Sequence, residues 1–290
     1  MESILRSCII MLMRLEVKSS IWPIEGLSWS MSLGGCRHMK QLKGVLILSL
    51  TVVSSLCASE EIDIRSLVLS NLELSRGGTS YAEMTMFIKR PTWERRSSLV
   101  GWTRGTKDSL IRFTAPAKDA GNAMLKLGDK MWTFNPKLNR NIRLPSSMMG
   151  QSWAGSDFSY NDLSRSDKYL TDYRFELVDT KVQEGKKIYT IDAIPNDDAA
   201  VVWGKERMTL REDAVMMGIV FYDQDLQPLK EMKSLKIGNL GGRTFSTHMR
   251  MGDIDDPDSY TEFEYQKMAF DLDLEDRLFS TFSLRSERTR

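Results

Sequence analysis

Cysteine and histidine are almost missing from this chain, with three and two among 290 residues. The cysteines, Cys8, Cys36 and Cys57, all lie near the start, so everything beyond Ala58 is free of them. That part can use no cysteine nucleophile and no zinc site built from several Cys and His ligands. Its one histidine, His248, would have to serve any Ser-His-Asp triad. It lies in Thr244 to Met251, a stretch that reads as a strand, where a lone histidine is ordinarily packed or solvent-facing. No catalytic residue, metal or cofactor is expected. Charge of one sign is missing too. The net charge is +1, and about −2 once the six basic and three acidic residues of the first 58 are set aside. Such a chain has no electrostatic footprint for nucleic acid. Chemistry by paired carboxylates stays open, because Asp and Glu are plentiful and their separations in space are not legible.

Long apolar runs are also lacking. The longest candidate, Gly44 to Val53, is shorter than the about 20 residues a membrane-spanning helix needs. It follows Lys40 and Lys43 and ends in small residues, Ser54-Ser55-Leu56-Cys57-Ala58, ahead of Glu60-Glu61. A positive start, a short apolar core and a small-residue exit describe a secretory signal peptide over Met39 to Ala58, cleaved after Ala58. Leu56, where lipoprotein processing wants a small residue before the cysteine, favours a soluble product over a lipid-anchored one. Residues 1–38 are then expected to be an over-extended start, and 59–290 one exported, periplasmic domain.

Within that domain one helix is expected at the start. Asp63 can cap it, Leu67, Val68, Leu72 and Leu74 are its apolar residues, and Gly77-Gly78 ends it. Strand signals dominate thereafter. Tyr81 to Lys89 alternates, with Ala82, Met84, Met86 and Ile88 on one face, and Gly128-Asp129 joins two apolar stretches as a hairpin turn. Pro145 to Tyr169 differs, being rich in Ser, Gly and Asp yet carrying Met148, Met149, Trp153, Phe158 and Tyr160. It reads as a long crossing segment with a short helix near Tyr160 to Ser164. Strands resume from Arg174 to Phe270, and a last short helix is expected near Glu275 to Phe279. The fold class is mainly β: roughly eleven strands, antiparallel because the junctions are too short for parallel crossovers, arranged as a sandwich or open barrel. The helix and the Pro145 to Tyr169 segment are the available covers for its concave face.

Thirteen of the 18 methionines lie past Ala58. Met84, Met86, Met124, Met131, Met148 and Met149 fall where the concave face is expected, and methionine suits a site that takes varied apolar chains. The acidic loop Asp253 to Asp258 lacks a calcium-loop pattern, and its turn-forming Asp256-Pro257 accounts for its composition.

Two segments resemble a known family. Leu127-Gly128-Asp129-Lys130-Met131-Trp132-Thr133-Phe134-Asn135-Pro136 is similar to a hairpin of the periplasmic lipoprotein carrier LolA. Gly155-Ser156-Asp157-Phe158-Ser159-Tyr160-Asn161-Asp162-Leu163 resembles the signature of the outer-membrane lipoprotein-sorting protein family, a LolA-like branch. The likeness runs from about Ile62 to Leu284. It implies an open antiparallel barrel of about eleven strands, capped by short helices, with a cavity for acyl chains. It implies lipid or an acylated protein as partner, with an inner-membrane RND-type exporter or an outer-membrane acceptor beside it, and a monomer. The lining expected on this basis is Met84, Met86, Ile88, Trp102, Met124, Trp132, Phe134, Met148, Met149, Trp153 and Phe158. In LolA a basic residue of an early strand ties the lid shut, and Arg104 lies nearest that position. Two rivals stay open beside the carrier: an envelope interaction module accessory to an RND-type exporter, and a carboxylate-based hydrolase.

Overall fold

The computed structural model describes residues 62–285 apart from Arg165, Asp167 and Ala200. The expected extension and signal peptide lie outside the described residues. Helix α1 (Ile64–Arg76) starts where the Asp63 carboxylate accepts from the Ser66 amide at 3.1 Å and the Ser66 hydroxyl at 2.7 Å. It stops at Gly77, whose φ of +62° suits glycine and whose amide donates to the Glu73 carbonyl at 2.8 Å. Cap, apolar stripe and stop all fall where the sequence places them.

Thirteen strands follow: β1 (Thr79–Arg90), β2 (Trp93–Arg104), β3 (Asp108–Ala115), β4 (Ala123–Leu127), β5 (Lys130–Asn135), β6 (Arg140–Arg143), β7 (Tyr173–Gln183), β8 (Lys186–Pro195), β9 (Lys205–Arg211), β10 (Met216–Tyr222), β11 (Pro228–Leu240), β12 (Arg243–Asp253) and β13 (Tyr260–Phe270). They form one antiparallel sheet in the order β6-β5-β4-β3-β2-β1-β13-β12-β11-β10-β9-β8-β7. The count exceeds the expected eleven by two, and the four-residue β6 is a strand of its own.

The order is two meanders laid back to back. β1 to β6 runs outward in one direction, β7 to β13 returns from the other edge, and β1 meets β13 in the middle. The edges β6 and β7 are therefore consecutive in sequence, and the chain between them has to bridge the width of the sheet. That bridge is the segment 144–172, with a 3-10 turn at Ser146–Met148 and two short helices, α2 (Tyr160–Ser164) and α3 (Tyr169–Asp172). Bulges at Glu83/Met84 in β1 and around Ser234 to Ile237 in β11 add local bend and twist.

Alternation assigns the two faces. Ser80, Ala82, Met86 and Ile88 of β1 are buried on the inner face, under α1 and the bridging segment. The outer face of β2 to β5 has its own cover. Trp102, Leu110, Leu125 and Phe134 pack against Phe279 and Leu284 of the C-terminal stretch, where Arg112 donates to the Ser283 carbonyl at 2.6 Å.

At the β9–β10 turn, the Asp213 carboxylate takes hydrogen bonds from Arg211 and Lys186 at 2.6 and 2.7 Å. Arg211 first, then Lys186, lowers its pKa from 3.8 to about 2. A folded pKa below the unfolded one gives stability that is whole above the unfolded value and lost as pH falls through the folded one. This contribution should therefore fade between about pH 4 and pH 2. Asp213→Asn should flatten that part of the acid-unfolding curve, read from urea midpoints; an unchanged slope would deny the group this role.

Candidate functional site

A cavity of about 380 Å³ lies between α1, the bridging segment and the inner face of the sheet. α1 supplies Val68, Leu72 and Leu74, and the sheet supplies Met84, Met208, Met216, Ile219, Met232 and Met249 among others. Trp153, Phe158 and Leu163 close it from the bridging segment. Most of this wall is apolar, and its size and character suit a small-molecule pocket.

The bridging segment is built by its own sequence. Ala154 and Gly155 turn the chain at φ of +53° and +74°. The Ser156 hydroxyl donates to the Trp153 carbonyl at 2.7 Å, which holds the tight turn closed. Trp153 stacks on Phe263 at 6.2 Å and tilts against Phe113 at 5.5 Å, while Phe158 meets Phe263 edge-on at 5.1 Å. Ser159 and Asp162 then form a reciprocal cap for α2: the carboxylate accepts from the Ser159 amide, and the Ser159 hydroxyl accepts from the Asp162 amide. The other Asp162 oxygen accepts from the Trp203 indole at 3.1 Å.

Asp157 fastens the segment to the sheet. Its carboxylate pairs with Arg90 at 3.1 Å and accepts from the Thr261 hydroxyl at 2.6 Å. Its amide donates to Thr261, and its carbonyl accepts from Lys230 at 3.3 Å. Arg90 also reaches the Gly155 carbonyl at 3.2 Å, and Arg95 donates to the Ala154 carbonyl. One acidic side chain thus ties the bridge to β1 and β13, and its carbonyl reaches β11.

The expected lining residues part into three groups. Met84, Trp153 and Phe158 line the cavity. Met86, Ile88 and Met124 sit beneath the bridge in the packed cluster that Met148 and Met149 lean on, filling the core beside the cavity. Trp132 and Phe134 belong to the outer-face cluster. Trp102 is at the cavity border between Gly101 and Thr103, but its ring packs on Tyr81 at 5.4 Å within that same outer cluster. The cause is parity: a strand residue one place off sits on the opposite face. Arg104 pairs with Asp108 at 2.8 Å and with Asp276, and lies over the Phe279 ring. It ties down the C-terminal stretch, not the bridging segment; Arg90 has that part. His248 also points away, with Glu262 as its partner at 3.0 Å, since its neighbour Met249 is the one that faces the cavity.

Sequence reasoning missed the other wall. Met208, Met216, Met232 and Met249 were legible as methionines in alternating stretches, yet the expected lining came only from the first half of the domain. It also missed the polar groups of the cavity. Glu206 is fully buried and accepts from the Tyr169 and Tyr173 hydroxyls at 2.8 and 3.0 Å. Tyr265 lines the cavity with its pKa raised by burial, an effect that the charge of Arg76 opposes.

A family model described as "uncharacterized protein" matches residues 105–286. No curated protein matches the sequence. Three crystal structures share the fold. A DUF1329 family protein from Desulfovibrio piger is 22% identical with a TM-score of 0.68, covering 76% of this chain and 97% of that one. An outer membrane lipoprotein-sorting protein domain from Vibrio parahaemolyticus is 21% identical with a TM-score of 0.66, covering 77% and 98%. A LolA superfamily protein from Nitrosomonas europaea is 20% identical with a TM-score of 0.65, covering 77% and 99%.

Proposed function

Because this chain belongs to the DUF1329 family, whose solved relatives have the LolA-like fold, we propose that it is a periplasmic carrier that shelters an acyl chain of a lipid or lipoprotein and catalyses no reaction. The observation that supports this reading is the apolar cavity roofed by a segment that Asp157 fastens to Arg90 and Thr261. Burial of a chain contributes about 0.8 kcal/mol per CH₂, enough for useful affinity after the cost of ordering the ligand. Loading exchanges roof–sheet contacts for ligand–sheet contacts, so unloading to a membrane acceptor reverses the same exchange. The leader at Met39 to Ala58 would take the domain to the periplasm, where an RND-type exporter or an outer-membrane acceptor would be its partner. Asp162 and Glu206, the acids among the described lining residues, are engaged by donors of the protein, which favours shelter over hydrolysis.

The test is uptake of acyl ligands by the purified protein, followed by native mass spectrometry and fluorescence titration. Ile219→Trp, which fills the cavity from β10, should weaken uptake at least about tenfold, the loss of roughly two buried methylenes, without unfolding the protein. A folded wild-type protein that takes up no acyl compound of any kind would end the carrier reading.

A further inference from the structure

Trp153 borders a second pocket, of about 310 Å³, between the bridging segment, the β3–β4 loop and strands β2 and β5. Among the described residues no other lines both this pocket and the main cavity. Its wall differs in kind. The aromatic residues Phe113, Trp153 and Tyr160 stand beside Arg95, Asp119 and Asn122.

Strand alternation brings Arg95 inward, since it shares the parity of the buried Ser97 and Leu99 in β2. Its Nη2 donates to the Ala154 carbonyl, while its Nε is buried with no hydrogen-bond partner in the protein. Asp119 comes from the β3–β4 loop, which is held by other groups. The Asp119 amide donates to the Pro116 carbonyl and the Gly121 amide to the Phe113 carbonyl, both at 2.9 Å. The Asn122 side chain donates to the Asp119 carbonyl at 2.7 Å. The Asp119 carboxylate makes none of these bonds, and its Oδ2 is buried without a partner. Among the described residues neither Arg95 nor Asp119 forms an ion pair, with the other or with a third group. Buried polar atoms ordinarily have partners, and these two are complementary: a donor on a cation and an acceptor on an anion. One ligand serves both if it carries an anionic oxygen and an N–H cation a short way apart. A quaternary ammonium has no hydrogen to give Asp119, so the cation is a primary amine in its protonated form.

We infer that this second pocket binds a zwitterionic amine, its anionic oxygen at Arg95 and its ammonium at Asp119. Two sources supply that chemistry: the phosphoethanolamine headgroup of a lipid, and a free amino acid. Because Arg95 also holds the Ala154 carbonyl, such a ligand clips the bridging segment to the β3–β4 loop. The site is separate from the main cavity, so failure of acyl uptake there leaves it standing.

Amide NMR titration of the purified full chain with glycerophosphoethanolamine, glycerophosphocholine, alanine and inorganic phosphate tests this. Glycerophosphoethanolamine or alanine should shift the amides of Arg95, Asp119, Asn122 and Ala154 to saturation, and the tighter of the two names the source. Glycerophosphocholine should bind at least about tenfold more weakly than glycerophosphoethanolamine, the loss of one charge-assisted hydrogen bond. Asp119→Ala, which removes a carboxylate that the loop does not use, should keep the melting temperature and bind the two diesters alike. Arg95→Lys should weaken every anionic probe yet keep the preference for ethanolamine over choline, so a folding defect in one variant leaves the other to decide. Equal affinity of the parent for the two diesters, phosphate binding as tightly as either amine, shifts centred elsewhere, or no saturable shift with any probe would overturn the inference.

Discussion

Trp153→Ala should lower the stability of the domain by about 3–5 kcal/mol, the range for removing a large aromatic side chain from a packed core. The indole is 4% exposed, stacked on Phe263 and tilted against Phe113, and it belongs to the cluster that includes Met86, Ile88 and Phe158. At roughly 2–4 °C per kcal/mol for a domain of this size, the melting temperature should fall by about 10 °C. Trp153→Phe should recover much of the loss by restoring the contacts to Phe113 and Phe263. Because Trp153 also walls the cavity, the proposed carrier role predicts that the alanine variant accepts a longer acyl chain than the parent. Thermal melts decide the first point. A drop of only about 1 kcal/mol, the ordinary effect of a point change, would mean that the bridge rests on the sheet as a loose flap and forms no part of its core.

Asp157→Ala is expected to release the bridge while leaving the sheet folded. Its carboxylate and Arg90 are 10% and 19% exposed at the side chain. Breaking a fully buried pair costs about 3–5 kcal/mol. Here the partial exposure and the contacts Arg90 keeps with the Lys89, Gly155 and Tyr260 carbonyls reduce the loss to about 2 kcal/mol. Hydrogen exchange should quicken at amides 153–163 and stay unchanged in β9 to β12. The double variant with Arg90→Ala should cost less than the sum of the two, since both remove one interaction. Exchange that rises evenly across the domain, or strict additivity, would contradict the assignment of Asp157 as the fastening.

The outline of the fold was legible because local chemistry decides it. Asp63 and Gly77 bracket α1, and Gly128-Asp129 closes a hairpin; each signal acts over a few residues. What stayed hidden acts over distance. The pairing of β1 with β13 joins Ser80 to Phe270, and no periodicity carries that information. The site was read in part for the same reason. Trp153 and Phe158 stood out as aromatics in a polar stretch, and both prove to roof the cavity. Trp132 and Phe134 looked equivalent to them, but their place depends on strand parity and on the C-terminal stretch that covers the outer face. Arg90 was passed over for Arg104 because a basic residue at a strand end says nothing about which loop will reach it; only the folded bridge brings Asp157 to it.

The central meeting of β1 and β13 also sets the order in which the molecule can be completed. Each meander consists of neighbouring hairpins that need little loop closure, whereas the seam between them waits for a partner almost two hundred residues downstream. Until β13 is available, β1 keeps an open edge, and the bridging segment lacks Phe263 and Thr261, on which its Trp153 and Asp157 settle. Long-range closures of this kind slow folding. A nascent chain therefore stays unfinished until nearly all of it has been made, the state in which a polypeptide can still be threaded through a membrane.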